Sequence, residues 1–240
     1  MSSINIFLMM TAALAAPATT ATTVPSYPEV LPEGTNTVCK DNIGMTDELR
    51  TKFLDEHNSR RSLLAKGEVT RPNGNHLPQG GDILKLRYDC ELEKAAIEEV
   101  RKCPTSKKAD ESFGKNFDTF ASSTTTPTYQ DAITTAINDW WDVVNSDREG
   151  PTTSLKFLQK HVGTAIESFT QMAWASTARL GCAISTCKSN YTVICLYDPK
   201  GNIVNQKLYN NNSTTSRALP PCGACPIKID GCDYSLGLCK

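Results

Sequence analysis

Ten cysteines constrain this 240-residue chain more than any other feature of its sequence. An even number of cysteines is typical of an oxidising compartment, where they pair, and each disulfide adds about 2–4 kcal/mol by restricting the unfolded chain. The spacing alone leaves the pairing open, because ten cysteines can pair in about 945 ways. We therefore expect a secreted, disulfide-bonded protein whose bridges join Cys39, Cys90, Cys103, Cys182, Cys187, Cys195, Cys222, Cys225, Cys232 and Cys239.

The amino terminus carries the apolar core of a secretion signal. Residues 4–16 form an apolar run that is too short to cross a bilayer as a helix, and Ala13-Leu14-Ala15 offers a signal-peptidase site before Ala16. We interpret residues 1–15 as a signal peptide and residues 16–38, rich in Thr and Pro, as a leader. We expect no membrane-spanning segment.

Three glycosylation sequons agree with secretion, because such acceptors matter only on secreted surfaces. They begin at Asn190, Asn211 and Asn212, and the last two overlap, so we expect only one of that pair to be used. The charge balance, 25 basic against 26 acidic residues for a net charge of −1, argues against a nucleic-acid partner, which would need a basic surface.

Helical periodicity dominates the first half of the ordered region. Thr46 can cap a helix with apolar positions every three or four residues, which Gly67 can end. A second helix is predicted over 89–102, and a third starts at Thr128, where Asp131 completes a capping-box pattern. Residues 70–81 are interpreted as a loop, and residues 104–127 are polar and rich in Ser and Thr.

Strand patterns follow in the second half. We predict strands over 179–184, 191–197 and, more briefly, 206–209. Helices first and strands later indicate an α+β layered domain. After Pro220-Pro221 the spacing Cys-x2-Cys-x6-Cys-x6-Cys marks a tail too small to bury a core. Cys222 and Cys225 have the spacing of a redox or zinc motif, but in a secreted chain two local disulfides are favoured.

Acid–base chemistry is limited by the presence of only three histidines. We expect His57 to be a core residue on the first helix and His76 to face solvent in its loop, and we identify no partner for His161. The sequence has no Gly-x-Ser-x-Gly elbow, phosphate loop or His-Glu-x-x-His helix. No generic motif predicts an enzyme.

Two segments resemble the signatures of the CAP superfamily of cysteine-rich secretory, antigen 5 and pathogenesis-related proteins. They are residues 167–174, ESFTQMAW, and residues 194–203, ICLYDPKGNI. Further motifs in family order are His57-Asn58 with Arg60 or Arg61, Tyr88-Asp89-Cys90 and Gly114-Lys115-Asn116. The start of the second helix, CELEK, and the cysteine-rich tail are most similar to nematode activation-associated secreted proteins, also called venom-allergen-like proteins.

This resemblance implies a three-layer α-β-α sandwich over residues 39–217, followed by a short cysteine-rich tail over 218–240. Many CAP domains hold a divalent cation in a cleft with two His and two Glu. Here the matching positions are Lys115, Val143 and Ser168, and residues 104–113 contain no histidine. Asp142 and Glu167 each precede one of these positions and could in principle replace the missing ligand. Adjacent side chains on a helix point about 100° apart, however, so we expect both to point away from the cleft.

We therefore predict no bound zinc, no cofactor and no catalytic residue. The resemblance then implies a non-enzymatic effector that binds a host cell-surface receptor, of the integrin type on platelets or leukocytes, and modulates haemostasis or immunity. The chain lacks Arg-Gly-Asp, and residues 70–81 and 106–127 are the candidate contact loops. The alternative is an extracellular sterol or lipid carrier with Phe117 and Phe120 in an apolar groove; a hydrolase is the least supported.

Overall fold

The computed structural model describes residues 32–108, 112–121, 128–147, 150–151, 154–211, 219–226 and 231–240. The predicted signal peptide, the leader up to residue 31 and Asn212 lie outside the described residues. Among the helices of the described part, none is both long enough and apolar enough to cross a membrane.

Four helices and six short or medium strands make up the described chain. The helices are α1 (Asp47–Lys66), α2 (Cys90–Val100), α3 (Tyr129–Ser146) and α4 (Ile166–Met172), with a 3-10 turn at Gln159–His161. The strands are β1 (Arg87–Tyr88), β2 (Gly114–Ala121), β3 (Arg179–Cys187), β4 (Asn190–Asp198), β5 (Cys232–Asp233) and β6 (Leu238–Cys239).

A four-stranded sheet in the order β1-β3-β4-β2 forms the middle layer. β1 pairs with β3 in parallel, and the other neighbours are antiparallel. α2 packs on one face of the sheet, where a Cβ on Gly181 would lie 2.2 Å from the backbone nitrogen of Glu93, so only glycine permits this approach. The other face is covered by α1, α3 and α4. The predicted α+β fold with helices on both sides of a sheet is confirmed.

The predicted helix ends are confirmed by their caps. The Thr46 side chain accepts a hydrogen bond from Leu49 N, and Gly67 ends α1 in the left-handed region at φ 73°. Asp89 caps α2, and Thr128 forms a capping box with Asp131 at the start of α3.

Two strand predictions need correction. The strand predicted over 206–209 is wrong. This segment makes a single β-bridge, between Lys207 and Lys156, and at the next residue Leu208 O accepts a hydrogen bond from Ala175 N instead. Its hydrogen bonds are divided between two segments, so no ladder forms. The polar region 104–127, treated as a loop, contains β2, which pairs along its whole length with β4. Its polar residues have partners on both faces of the sheet, which hides the alternation expected of a strand.

All ten cysteines are paired. The bridges are Cys39–Cys90, Cys103–Cys187, Cys182–Cys195, Cys222–Cys232 and Cys225–Cys239. The two local tail disulfides that the spacing favours are confirmed. The tail hairpin of β5 and β6 docks on the domain through Cys239, whose N–H donates to Ile83 O and whose carbonyl accepts from Lys85 N.

The sequence left open whether Arg60 or Arg61 is the arginine of the family motif, and burial favours Arg61. Arg61 is 0% exposed. Its guanidinium donates to the carbonyls of Leu84, Met172, Trp174, Ala175 and Thr177 at 2.7–3.2 Å. Burial lowers its pKa to about 9, so it stays charged at neutral pH. Arg61 therefore joins α1 to the segments that precede β1 and β3.

Candidate functional site

A cavity of about 660 Å³ opens between β2, α3 and the start of α4, and we call it the cleft. Residues 116–118 of β2, residues 139, 140 and 143 of α3, and residues 163–168 without Ile166 line it, together with Lys107. The Trp140 indole nitrogen donates to Phe117 O at 3.2 Å, which ties α3 to β2 at its floor. The cleft therefore lies between β2, which the sequence did not predict, and α3, which it did.

Of the predicted lost-ligand positions, the structure brings two together in the cleft. Val143 and Ser168 both line it. The Ser168 hydroxyl is within hydrogen-bonding distance, 2.9 Å, of the carbonyls of Trp140 and Ala165, so its single proton is used locally. In the segment 104–113, Lys107 is the residue that lines the cleft, with residues 109–111 outside the described part.

Lys115 does not point into the cleft. Successive residues of a strand face opposite sides of the sheet, and Lys115 lies on the α2 side, where its ammonium is 2.7 Å from a carboxylate oxygen of Glu99. The side chain is only 5% exposed. The lysine expected in the cleft is therefore held by an ion pair on the opposite face of the sheet.

The expectation for Glu167 is wrong, whereas that for Asp142 agrees with the structure. Asp142 is exposed on α3 and lies outside the cleft. Glu167 lines the cleft, accepts a hydrogen bond from Gly163 N at 3.0 Å and pairs with Lys107 at 3.2 Å. The first turn of α4 forms the rim, so both of its neighbouring residues 167 and 168 reach the cavity despite the helical rotation.

Sequence reasoning missed a pair of carboxyl groups in the cleft. Asp118 of β2 forms a side-chain hydrogen bond with Asp139 of α3. Burial, and then the charge of Asp139, raise the pKa of Asp118 to about 6. Below that pH the Asp118 carboxyl carries a proton. No sequence signal reveals this pair, because it depends on which residue of α3 faces which residue of β2.

A buried hydrogen-bonded chain lies beneath the cleft. His57 Nδ1 is 2.7 Å from Phe53 O, which can only accept, so Nδ1 carries the proton and Nε2 accepts from the Tyr197 hydroxyl at 2.9 Å. Asn116 Nδ2 donates to the Tyr197 oxygen at 3.2 Å and to Ser168 O at 3.0 Å. This orientation leaves the buried Asn116 Oδ1 without a partner among the described residues.

Histidine chemistry is not available at the cleft. His57 is fully buried, as predicted for a core residue, and burial lowers its pKa to about 3. His76 is exposed in its loop, as expected, with Nδ1 3.1 Å from Gly67 O. The view that His161 has no partner is wrong: it is buried, its Nδ1 accepts from Leu158 N at 3.0 Å, and its ring packs on Phe157.

The predicted glycosylation sites differ in their surroundings. Asn190 is exposed at the turn between β3 and β4. Asn211 is only 7% exposed, and its side-chain oxygen accepts from Lys207 at 3.4 Å. Between these two sites, Asn190 offers the accessible amide.

A match to a known family decides what kind of protein carries this cleft. The family profile described as CAP, the cysteine-rich secretory protein family, matches residues 54–197. The chain belongs to the CAP family. It is 33% identical over 220 residues to Ancylostoma secreted protein of Ancylostoma caninum, which covers 90% of the chain and 48% of the relative. The chain therefore spans about half the length of that relative, and its five disulfides fit an extracellular protein.

Other CAP proteins resemble the chain over more of their length. Hookworm platelet inhibitor 1 of Ancylostoma caninum is 25% identical over 185 residues, covering 77% of the chain and 80% of the relative. A crystal structure of NaASP2 with Zn²⁺ matches 84% of the chain and 100% of its own length, with TM-score 0.72 and 29% identity. Na-ASP-1 gives TM-score 0.74 at 29% identity over 90% of the chain and 52% of its own length. The predicted resemblance to the nematode secreted type is confirmed.

The residues of the cleft do not fit a zinc ion. Zinc prefers nitrogen and sulfur ligands in a tetrahedral arrangement, with at least three from the protein. The described residues that line the cleft include no His or Cys, and one of their three carboxylates, Glu167, is paired with Lys107. Within the described chain, three suitable ligand atoms come within 4.8 Å of one another only at Cys222, Cys225 and Cys239, all held in disulfides.

Proposed function

We propose that this chain is a secreted, non-enzymatic CAP protein that acts on a host by binding a cell-surface receptor, of the integrin type on platelets or leukocytes, and so modulates haemostasis or immunity. The observation that carries the proposal is the cleft. Its ligand positions hold Val143 and Ser168, while Lys115 is committed to Glu99 on the other side of the sheet. The similarity to Hookworm platelet inhibitor 1 supports a host-directed role.

The cleft also gives little support to hydrolysis. Glycosidases keep their two carboxyl groups about 5–9.5 Å apart, so that a sugar carbon or a water fits between them. Asp118 and Asp139 contact each other directly through a hydrogen bond. A general base would have to be reachable by substrate, whereas His57 is fully buried and uncharged. These features favour binding rather than catalysis.

The loop over residues 70–81 is the contact surface that we propose for the receptor. Residues 72–76 are exposed, and the loop is closed by a bridge between Thr70 and His76. Arg71 N donates to Asn75 O at 2.8 Å, and Gly74 N donates to Arg71 O at 2.9 Å. A preformed turn loses little conformational entropy on binding, which favours affinity. The second candidate segment, 106–127, is largely taken up by β2 or lies outside the described residues.

The test is saturable binding of labelled, disulfide-intact protein to separated blood cells. Asn75→Arg changes an exposed loop residue, and Asn145→Arg changes an exposed asparagine on α3 and serves as the matched control. We expect binding to one cell lineage that Asn75→Arg weakens at least ~10-fold, a loss typical of a central contact residue, and that Asn145→Arg leaves unchanged. Absence of saturable binding to every lineage would refute a blood-cell receptor, and equal effects of both variants would remove this loop from the interface.

The sterol or lipid carrier remains the second candidate, favoured by one observation. The volume of the cleft, about 660 Å³, suits a small ligand. Phe117 reaches the cleft through its carbonyl, which accepts from Trp140, because its side chain, two residues from Lys115, lies on the α2 side of the sheet. Phe120 instead packs against Tyr191, at a ring distance of 6.2 Å, and lies outside the cleft. Asp118 and Asp139 make the opposite wall acidic, which disfavours an apolar chain. Organic extraction of the purified protein followed by mass spectrometry would identify a bound sterol or fatty acid at one copy per protein if this candidate is correct.

A further inference from the structure

The tail places two disulfides so close that one can react with the other. Cys222 is bonded to Cys232, and Cys225 is bonded to Cys239. The sulfur of Cys222 nevertheless lies within 4.8 Å of the sulfurs of both Cys225 and Cys239. A thiolate released at Cys222 would therefore be next to the second bridge without any movement of the domain.

The two bridges differ in their access to solvent. Both ends of Cys222–Cys232 are partly exposed, and Gly231 beside Cys232 is exposed. In the other bridge Cys225 is also partly exposed, but Cys239 is 0% exposed and is held by backbone hydrogen bonds to Ile83 and Lys85. Thiol–disulfide exchange needs direct access of the attacking thiolate to a sulfur, so Cys222–Cys232, with two accessible sulfurs against one, is the bridge more open to an external thiol.

Cys222 also has a backbone conformation that disfavours a side chain. Its φ of 60° lies in the left-handed region, which is unfavourable for a residue with a side chain. Gly223 N donates to Pro220 O, and Ala224 N donates to Gly81 O, so the turn that carries Cys222 and Cys225 is anchored to the domain. Both cysteines thus remain side by side in one short turn when the outer bridge opens.

We infer that the tail is a redox-active site in which a monothiol opens Cys222–Cys232 and Cys222 then transfers the reduction to the inner bridge. In the first step the external thiolate attacks the Cys232 sulfur and forms a mixed disulfide, and Cys222 leaves as a thiolate. A second monothiol releases Cys232 as a thiol and yields the disulfide of the reductant. The Cys222 thiolate then attacks the Cys225 sulfur, which forms Cys222–Cys225 and expels Cys239 as a thiolate that takes up a proton.

In these three steps, one disulfide of the protein is reduced and two monothiol molecules are oxidised to one disulfide. Its product has a new bridge within the Cys-x-x-Cys turn and thiols at Cys232 and Cys239. The hairpin of β5 and β6 then loses both disulfide links to the turn of residues 222–225. It stays on the domain through hydrogen bonds at Cys239 and the ion pair of Lys85 with Asp233, at 2.8 Å. The exchange therefore frees the hairpin from the turn and leaves its contacts with the domain unchanged.

The test uses the full disulfide-bonded protein and glutathione as the monothiol. After limited reduction and acid quenching, free thiols are alkylated with N-ethylmaleimide in denaturant, and the products are mapped by peptide mass spectrometry. We expect label on Cys232 and Cys239 together with a Cys222–Cys225 bridge. Label on Cys222 and Cys232 with Cys225–Cys239 intact, or label on Cys225, would overturn the inference.

A pair of double variants separates internal transfer from direct reduction of the inner bridge. Cys222→Ser with Cys232→Ser removes the attacking group, whereas Cys39→Ser with Cys90→Ser removes a bridge elsewhere. At about 0.1 mM glutathione, an internal thiolate with an effective concentration on the order of 1 mM reacts ~10-fold faster than the external one. Once its outer bridge has opened, we expect the wild type to release Cys239 ~10-fold faster than the tail variant does, and the control to match the wild type. Equal rates in all three proteins would show that glutathione attacks the inner bridge directly.

Discussion

Replacing Arg61 with methionine tests how much of the fold depends on one buried cation. The guanidinium is the hydrogen-bond donor for five backbone carbonyls, those of Leu84, Met172, Trp174, Ala175 and Thr177. Each carbonyl left without a partner in the interior costs about 1–3 kcal/mol. Removal of the buried charge offsets part of this loss, so we expect the free energy of unfolding to fall by about 3–5 kcal/mol.

The neighbouring Arg60 supplies a matched control. It is partly exposed and pairs with Glu56 one helical turn away on α1, a contact of a kind worth less than about 1 kcal/mol. Arg61→Lys gives an intermediate case, because an ammonium has three donors without the planar fork of the guanidinium, and two of the five carbonyls, Trp174 O and Ala175 O, also accept from backbone N–H groups. We therefore expect Arg61→Met to be the least stable variant, Arg61→Lys to be intermediate, and Arg60→Met to be close to wild type.

The assay is denaturant unfolding without reductant, followed by far-ultraviolet circular dichroism and analysed by linear extrapolation. All three variants keep the five disulfides, so differences in the unfolded state are small. A loss below about 1 kcal/mol for Arg61→Met, or equal losses for Arg61→Met and Arg60→Met, would refute the reasoning that orphaned carbonyls set the cost.

Four further results are expected. Because burial and the charge of Asp139 raise the pKa of Asp118 to about 6, ionisation of Asp118 lowers the stability of the fold as the pH rises from about 4 to 6. Denaturant unfolding should therefore show that Asp118→Asn raises the free energy of unfolding at pH 7.5 by about 1 kcal/mol, a value reduced for the partial exposure of Asp118. The same substitution should have little effect below pH 4, where Asp118 is protonated in both states. Isothermal titration calorimetry of the oxidised protein should show no one-to-one zinc site; a one-to-one site that Asp118→Asn abolishes would contradict this. Lys115→Glu should destabilise the fold, because the new carboxylate would face Glu99. Intact-mass analysis after Asn190→Gln should show the loss of one glycan; an unchanged mass would refute glycosylation there.

Local signals predicted the helices of this protein well, because their determinants lie within a few residues. Thr46, Gly67 and the pair Thr128 and Asp131 occupy the cap positions that their chemistry favours. The polar strand β2 escaped prediction for the opposite reason. Its lysine is neutralised by Glu99 of α2, a partner that sequence patterns do not reveal.

The cleft was only partly predictable for the same reason. Family motifs identified the positions of Val143 and Ser168, but the direction of Lys115 depends on the pleat of a strand that the polar pattern concealed. The contact between Asp118 and Asp139 depends on the packing of α3 against β2, which no local rule determines. The disulfide pairing likewise needed the three-dimensional fold, except in the tail, where short spacing restricts the choices.

The ion pair between Lys115 and Glu99 couples these two positions in any change of the sequence. A glutamate at position 115 alone would place two carboxylates against each other in a largely buried space, and the loss of Glu99 alone would leave a buried lysine unpaired. Either single change therefore gives a less stable protein, whichever residue changes first. We expect the two positions to vary together, whereas the exposed loops can change one residue at a time.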